Sequence, residues 1–206
     1  MRELLDGAAG ERMELAAYYA DYEQHFWAGG DPGFWKLERQ QFFQEPGYDS
    51  WVAFARGDWQ EALRLLEASR PEMEAYFRKI ADRGFTVARV RVVEEPLTAY
   101  LQWELHALRL REQCGAKIRI VGPEHVAPLE TSGPLPEIYT LGTAVMYEAI
   151  YDERGILEAA RRYTDRDLIA RCQRLIADLY AAGEPLEDYF SRQVAPLPAP
   201  AAQQAM

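Results

Sequence analysis

The sequence predicts an α+β protein, with a helical N-terminal region packed on a mixed sheet. Three observations carry that expectation. Residues 85–121 read as strand, helix, strand with a connection long enough for a parallel crossover. Residues 138–163 hold three β-rich runs separated by two tight turns, the pattern of an antiparallel meander. The first 84 residues carry helical periodicity between Gly and Pro breaks, and another helical stripe follows the meander.

The N-terminal region divides at its breakers. Glu11 to Trp27 places Leu15, Tyr18, Tyr19, Tyr22 and Phe26 on one side and stops at Gly29-Gly30; Phe34 to Phe43 reads as a short second helix, broken by Glu45-Pro-Gly. Asp49 or Ser50 caps a helix through Ala55, Asp58 caps another with Trp59, Leu63 and Leu66 inward, and Pro71 opens a fifth that Gly84 closes. Phe34, Trp35, Phe42, Phe43, Trp51, Phe54 and Trp59 are expected to fill a helical core, since aromatic rings dominate buried area.

Phe85 to Val93 alternates as a strand, with Ala88, Val90 and Val92 on one face and Val87, Arg89, Arg91 and Val93 on the other. The helix that follows is expected from Pro96 to about Gln113, ended by Gly115. Its apolar stripe is Leu97, Tyr100, Leu101, Leu105 and Leu108, and Glu104 falls in the middle of it. A lone carboxylate there needs a cationic partner, with Arg89 expected first and Arg91 next. Ala116 to Val121 is the second strand of the crossover. Gly122 to Pro136 is proline-spaced and expected to be extended loop. Ile138–Leu141, Val145–Tyr151 and Ile156–Tyr163 form the meander, turning at Gly142-Thr143 and Asp152–Gly155. Thr164 or Asp165 caps a last long helix carrying Leu168, Ile169, Cys172, Leu175, Ile176 and Leu179, closed by Gly183; Pro185 to Arg192 adds a short helical turn. The expected division is a helical region over residues 1–84, a mixed-sheet domain over 85–193, and a disordered Pro/Ala-rich tail over 194–206.

Composition narrows the function classes. The net charge is −10, and residues 1–75 hold 7 Lys and Arg against 15 Asp and Glu. That balance opposes direct binding to nucleic acid or an anionic membrane. Two isolated cysteines, Cys114 and Cys172, give neither a disulfide framework nor a zinc spacing, and the N-terminus has no apolar signal core, so a reducing cytoplasm is expected. His25, His106 and His125 lie in separate elements without ligand spacing, and no phosphate-loop, nucleophile-elbow or HExxH motif occurs, so no metal and no cofactor is expected. Arg154, Arg161, Arg162, Arg166, Arg171 and Arg174 form a basic concentration that interleaved acids dilute to a solvated face. Glu94-Glu95 stands where a strand ends and a helix begins. Acids favour a helix N-terminus, but this is also the end of an α/β sheet where ligands bind.

The stretch Arg89-Val-Arg-Val-Val-Glu-Glu-Pro-Leu-Thr-Ala-Tyr-Leu-Gln-Trp-Glu104 resembles an actinobacterial family of unknown function. Its motif runs from an Arg through a β run to Glu-Pro-Leu, Tyr-Leu and a Glu; the matching positions are Arg89, Glu95, Pro96, Leu97, Tyr100, Leu101 and Glu104. The likeness extends through Lys117–Ile120, Tyr151–Gly155 and Glu184–Tyr189. Members are commonly encoded beside helix-turn-helix regulators, so the resemblance implies a regulatory accessory with such a protein as partner. The element order is also faintly similar to one half of a phospholipase D-type domain, but the HxKxxxxD signature is absent: Ala127 stands two residues after His125, where the lysine belongs.

The sequence thus points to a non-enzymatic cytoplasmic interaction module with a protein partner. The alternative is an enzyme or small-ligand binder that holds a phosphate or carboxylate with Arg89 and Arg91 near Glu94-Glu95, with Glu104 beside them.

Overall fold

Alternation, turn chemistry and capping generate the elements, and a computed structural model describes residues 5–200 of them. Strand β1 (Glu11–Glu14) leads into helix α1 (Leu15–Ala28), and β2 (Phe34–Glu38) follows the glycine-rich turn. Helices α2 (Asp49–Ala55), α3 (Trp59–Ala68) and α4 (Arg70–Asp82) complete the N-terminal region. Next come β3 (Val87–Val92), α5 (Ala99–Cys114) and β4 (Lys117–Val121). A short α6 (Pro123–Val126) and a 3-10 turn (Ala127–Leu129) precede the meander β5 (Glu137–Leu141), β6 (Val145–Tyr151) and β7 (Leu157–Tyr163). Helix α7 (Arg166–Ala182), β8 (Glu184–Pro185), α8 (Leu186–Tyr189) and a π-helical turn (Phe190–Val194) close the described chain.

The strands form one mixed sheet in the order β1-β7-β6-β5-β2-β3-β4-β8. β3 and β4 are parallel, joined by α5 as the expected crossover, and β5, β6 and β7 are antiparallel. The turn between β6 and β7 is held by Asp152, whose Oδ1 accepts from the Arg154 and Ile156 amides. Thr98 caps α5 by accepting from the Leu101 amide at 3.0 Å, and Asp165 caps α7. α5 begins at Ala99, three residues past the expected Pro96.

Three expectations are corrected. The N-terminal region is not all helix. Phe34–Glu38 is the strand between β3, to which it runs parallel, and β5, to which it runs antiparallel. Its side chains alternate, with Phe34 in the core beneath α5 and Leu37 in the core beneath α7. A charged pair at Lys36 and Glu38 suggests a solvated helix face when neighbouring strands are unknown; in the sheet both charges are satisfied on one surface. Gly33 permits the entry into β2, because its φ of +90° suits glycine and a Cβ there would meet the Thr86 carbonyl oxygen at 2.6 Å. The 122–136 loop is not wholly extended, since it carries α6 and the 3-10 turn, with Val126 and Leu135 buried. The tail is ordered further than expected: Val194 is 1% exposed, and the Pro198 carbonyl accepts from Gln102 Nε2 at 2.8 Å. Residues 201–206 of the expected tail lie outside the described residues.

An apolar core lies on each sheet face, with a smaller cluster of Leu66, Ala107 and Leu110 among the helices. α7 covers one through Leu168, Ile169, Cys172, Ile176 and Leu179 against Leu37, Val90, Val92 and Ile138. α5 and the N-terminal helices cover the other, which contains most of the aromatic side chains. Trp103 of α5 stacks on Phe54 at 5.8 Å, and its Nε1 donates to Ser50 Oγ at 2.9 Å. Trp35 instead packs beside the α7 core, and Phe42 is exposed, so the expected role as core filler holds for Phe34, Phe43 and Phe54.

Truncation after Arg192 should therefore destabilise the protein. It removes a fully buried valine, about 1.5–3 kcal/mol of apolar burial, which lowers the thermal midpoint by roughly 5–10 °C in a chain of this size. A midpoint within a degree of the full chain's, measured by calorimetry, would show that Val194 contributes nothing.

Candidate functional site

Beneath α5 the sheet carries a layer of charge. Alternation sets Lys36 and Glu38 of β2, Arg89 and Arg91 of β3, and Glu137 and Tyr139 of β5 on the same face, and the register pairs Lys36 with Arg89 and with Tyr139. α5 lays Tyr100, Glu104, Leu108 and Arg111 over this row at helical spacing.

The expected partner of Glu104 is corrected. Arg91, with no exposed surface, donates from Nε to Glu104 Oε2 at 2.8 Å, and its Nη2 lies 2.8 Å from the same oxygen. Its Nη1 donates to the Val92 carbonyl at 3.0 Å, and Phe43 covers the guanidinium, ring centre 5.8 Å away. Arg89 pairs instead with Glu38, 2.5 Å from Nη1 to Oε2, and Lys36 Nζ reaches the other oxygen of Glu38 at 2.5 Å. Sequence placed both arginines on the right face. The choice between them depends on where α5 crosses β3, which periodicity does not fix.

Glu94 and Glu95 lie outside this network. Glu94 Oε1 sits 2.7 Å from Arg39 Nη1, within a cluster that includes Glu130, and the Glu94 amide donates to Gln41 Oε1. Glu95 accepts from the Tyr189 hydroxyl at 3.2 Å. The structure thus joins Arg89, Arg91 and Glu104 and separates Glu94 and Glu95 from them.

Burial separates the carboxyls electrostatically. Burial alone would raise the Glu38 carboxyl, but the neighbouring cations Arg89, Lys36 and Arg91 hold it well below the usual range. Burial pushes Glu104 up, Glu38 and Glu45 add repulsion, and Arg91 opposes the rise. Glu137 is pushed up to about 7, first by burial and then by Glu38. Its Oε1 accepts from the Arg39 and Gln40 amides at 2.9 and 2.6 Å, while the buried Oε2 has no hydrogen-bond partner among the described residues. Burial also raises Tyr100, which keeps its hydroxyl protonated to donate to Glu45 at 2.7 Å.

Above the layer opens a cleft of about 540 Å³. Lys36, Glu38, Arg89 and Glu104 line it with polar atoms; Phe43, Tyr48, Tyr100, Trp103 and Tyr151 supply rings. Arg111 also lines it, half-buried, and among the described residues its guanidinium makes no ion pair or hydrogen bond. The sequence reading missed Glu38 and Arg111. A strand alternation across Phe34–Glu38 signals the first, and the seven-residue step from Glu104 to Arg111, two helical turns, signals the second.

Other groups singled out by the sequence lie away from the cleft. His106 is wedged between Trp59 and Phe190, and burial with Arg109 nearby pushes it down to about 4. Cys114 and Cys172 are free thiols, half-buried and buried. Within the basic concentration, Arg154, Arg161 and Arg162 pair with Asp152, Glu148 and Asp21. Among the described residues no group of three or more His, Cys, Asp or Glu is arranged to hold a metal ion, and no helix is long and apolar enough to cross a membrane.

Two measurements probe the layer. Arg91→Ala and Glu104→Ala should each cost about 3–5 kcal/mol by stranding a buried charge, with the double variant costing less than the sum. Additive costs in urea titrations would break the pairing. Glu137→Gln tests the titration. The folded carboxyl binds its proton more tightly than the unfolded one, so its contribution to stability is full below about pH 4.3 and declines as pH rises towards about 7. Glu38 has the opposite sign, but its contribution is lost only at more acid pH. The variant should gain on the native protein between pH 5 and pH 8, and an unchanged difference would contradict the raised carboxyl.

Comparison with known proteins gives a family. No curated protein matches the chain. Residues 20–191, which contain the sheet's central strands, α5 and every residue of the charge layer, match the model described as domain of unknown function DUF6879, and the chain belongs to that family.

Proposed function

We propose that this protein is a non-catalytic binding module that holds a small organic ligand in the cleft under α5 and reports its occupancy to a protein partner. The observation that carries this is the cleft itself: about 540 Å³ with ring walls over a fixed polar floor, within the size range of small-molecule sites. Its floor supports binding over chemistry, because Lys36, Arg89 and Arg91 are engaged by Glu38 and Glu104 rather than poised on a nucleophile. In this reading Arg91 and Glu104 are scaffold, Arg89 is polar floor, and Glu94 and Glu95 anchor the entry to α5. The module acts in the cytoplasm as an accessory of a regulator, the helix-turn-helix partner that the sequence resemblance implies.

Gly47→Trp offers a test. Gly47 lines the mouth of the cleft at an exposed turn, and a Cβ there meets nothing within 4 Å, so an indole is accommodated at the rim without displacing backbone. Native mass spectrometry of the chain purified from its own host should show a small-molecule adduct that the variant lacks. An adduct retained by the variant, or the bare chain mass for both, overturns the reading.

A further inference from the structure

The charges of the cleft select a ligand class. Lys36 and Arg89 share the single carboxylate of Glu38, leaving that trio with one net positive charge. Arg91 and Glu104 are matched one to one. Glu45 accepts from the Tyr100 hydroxyl. Arg111 is left over. It lines the same cleft as Arg89. From Tyr100 to Arg111 the helix wall extends about 16 Å at 1.5 Å per residue, room for a ligand with one charged end and a flat body.

We propose that the cleft binds an amphipathic organic monocarboxylate, with its carboxylate on the Arg111 guanidinium and its apolar body among Phe43, Tyr48, Trp103 and Tyr151. This rests on the ligand-binding reading of the cleft. A guanidinium fork matches a carboxylate with two parallel hydrogen bonds, and that geometry distinguishes it from an ammonium. One unengaged cation balances one negative charge; a phosphate dianion calls for further free donors, which Glu38 occupies. Flat rings suit a planar or acyl body, with stacking and edge contacts adding to apolar burial.

Calorimetric titration of the full chain with 2-naphthoate, its uncharged counterpart 2-naphthamide, and decanoate separates the parts of the proposal. 2-Naphthoate should bind at one site, at least about tenfold more tightly than 2-naphthamide. Arg111→Met should weaken naphthoate by about that factor and leave the amide unchanged, Arg111→Lys should recover part of the loss, and Gly47→Trp should abolish binding of both. Arg111 is half-buried on a helix, so its substitutions leave the core intact. Decanoate binding above naphthoate would identify the body as acyl and keep the carboxylate assignment. Equal binding of naphthoate and naphthamide, both lost in Gly47→Trp, would overturn the carboxylate class while the cleft stands. Binding unchanged in Gly47→Trp, or no binding of any of the three at millimolar concentration, would overturn the cleft as well.

Discussion

The contact on which the rest of this structure depends is the ion pair between Arg91 in the middle of the sheet and Glu104 in the middle of α5. Both side chains are buried, and a buried charge is tolerated only when paired and hydrogen-bonded. The pair fixes α5 in rotation and in height over β3, because a shift by one helical position would strand both charges. Once α5 is fixed, Trp103 meets Ser50 and Phe54, Tyr100 meets Glu45, and the N-terminal helices acquire their seat.

A buried ion pair is weak evidence for stability, since removal of two ions from water offsets most of their attraction. Apolar residues at positions 91 and 104 would cover the sheet at less cost. The charges are better understood with their neighbours. Glu38, Lys36, Arg89, Glu137 and Tyr100 extend the polar layer across β2, β3, β5 and α5, and the cleft opens over it. Set beside a cavity, these fixed charges form a polar floor whose partners hold one another in place and resist rearrangement.

The N-terminal region serves both halves of the molecule. β2 completes the sheet between the parallel crossover and the meander, joining two units that would otherwise share no hydrogen-bonded edge. The segment after β2 then supplies Phe43, Glu45, Gly47 and Tyr48 to the cleft wall. One stretch of chain thus builds both sheet and site, which couples the shape of the cleft to the integrity of the fold.

Local sequence determined much of this protein. Alternation in 85–93 and 138–163, the helical spacing read from Pro96 to about Gln113 and again after Asp165, and the stop at Gly115 depend on near neighbours, and each element formed close to where those signals lie, α5 starting three residues late at the Thr98 cap. The anomaly at Glu104 was legible too, because an apolar stripe interrupted by a carboxylate implies a cation. Tertiary structure decided the rest. Phe34–Glu38 carries a pattern that serves helix or strand, and only the free edges of β3 and β5 made it a strand. Arg91 took Glu104, and Arg89 took Glu38, because the crossing of α5 and the insertion of β2 set which carboxylate each guanidinium could reach. Val194 reads as the start of a disordered Pro/Ala-rich tail until the turn after α8 carries it into the core. Arg111 is an ordinary helix residue in sequence; its place in the cleft, and the absence of a partner among the described residues, arise from packing between segments far apart in the chain, where local pattern carries no information.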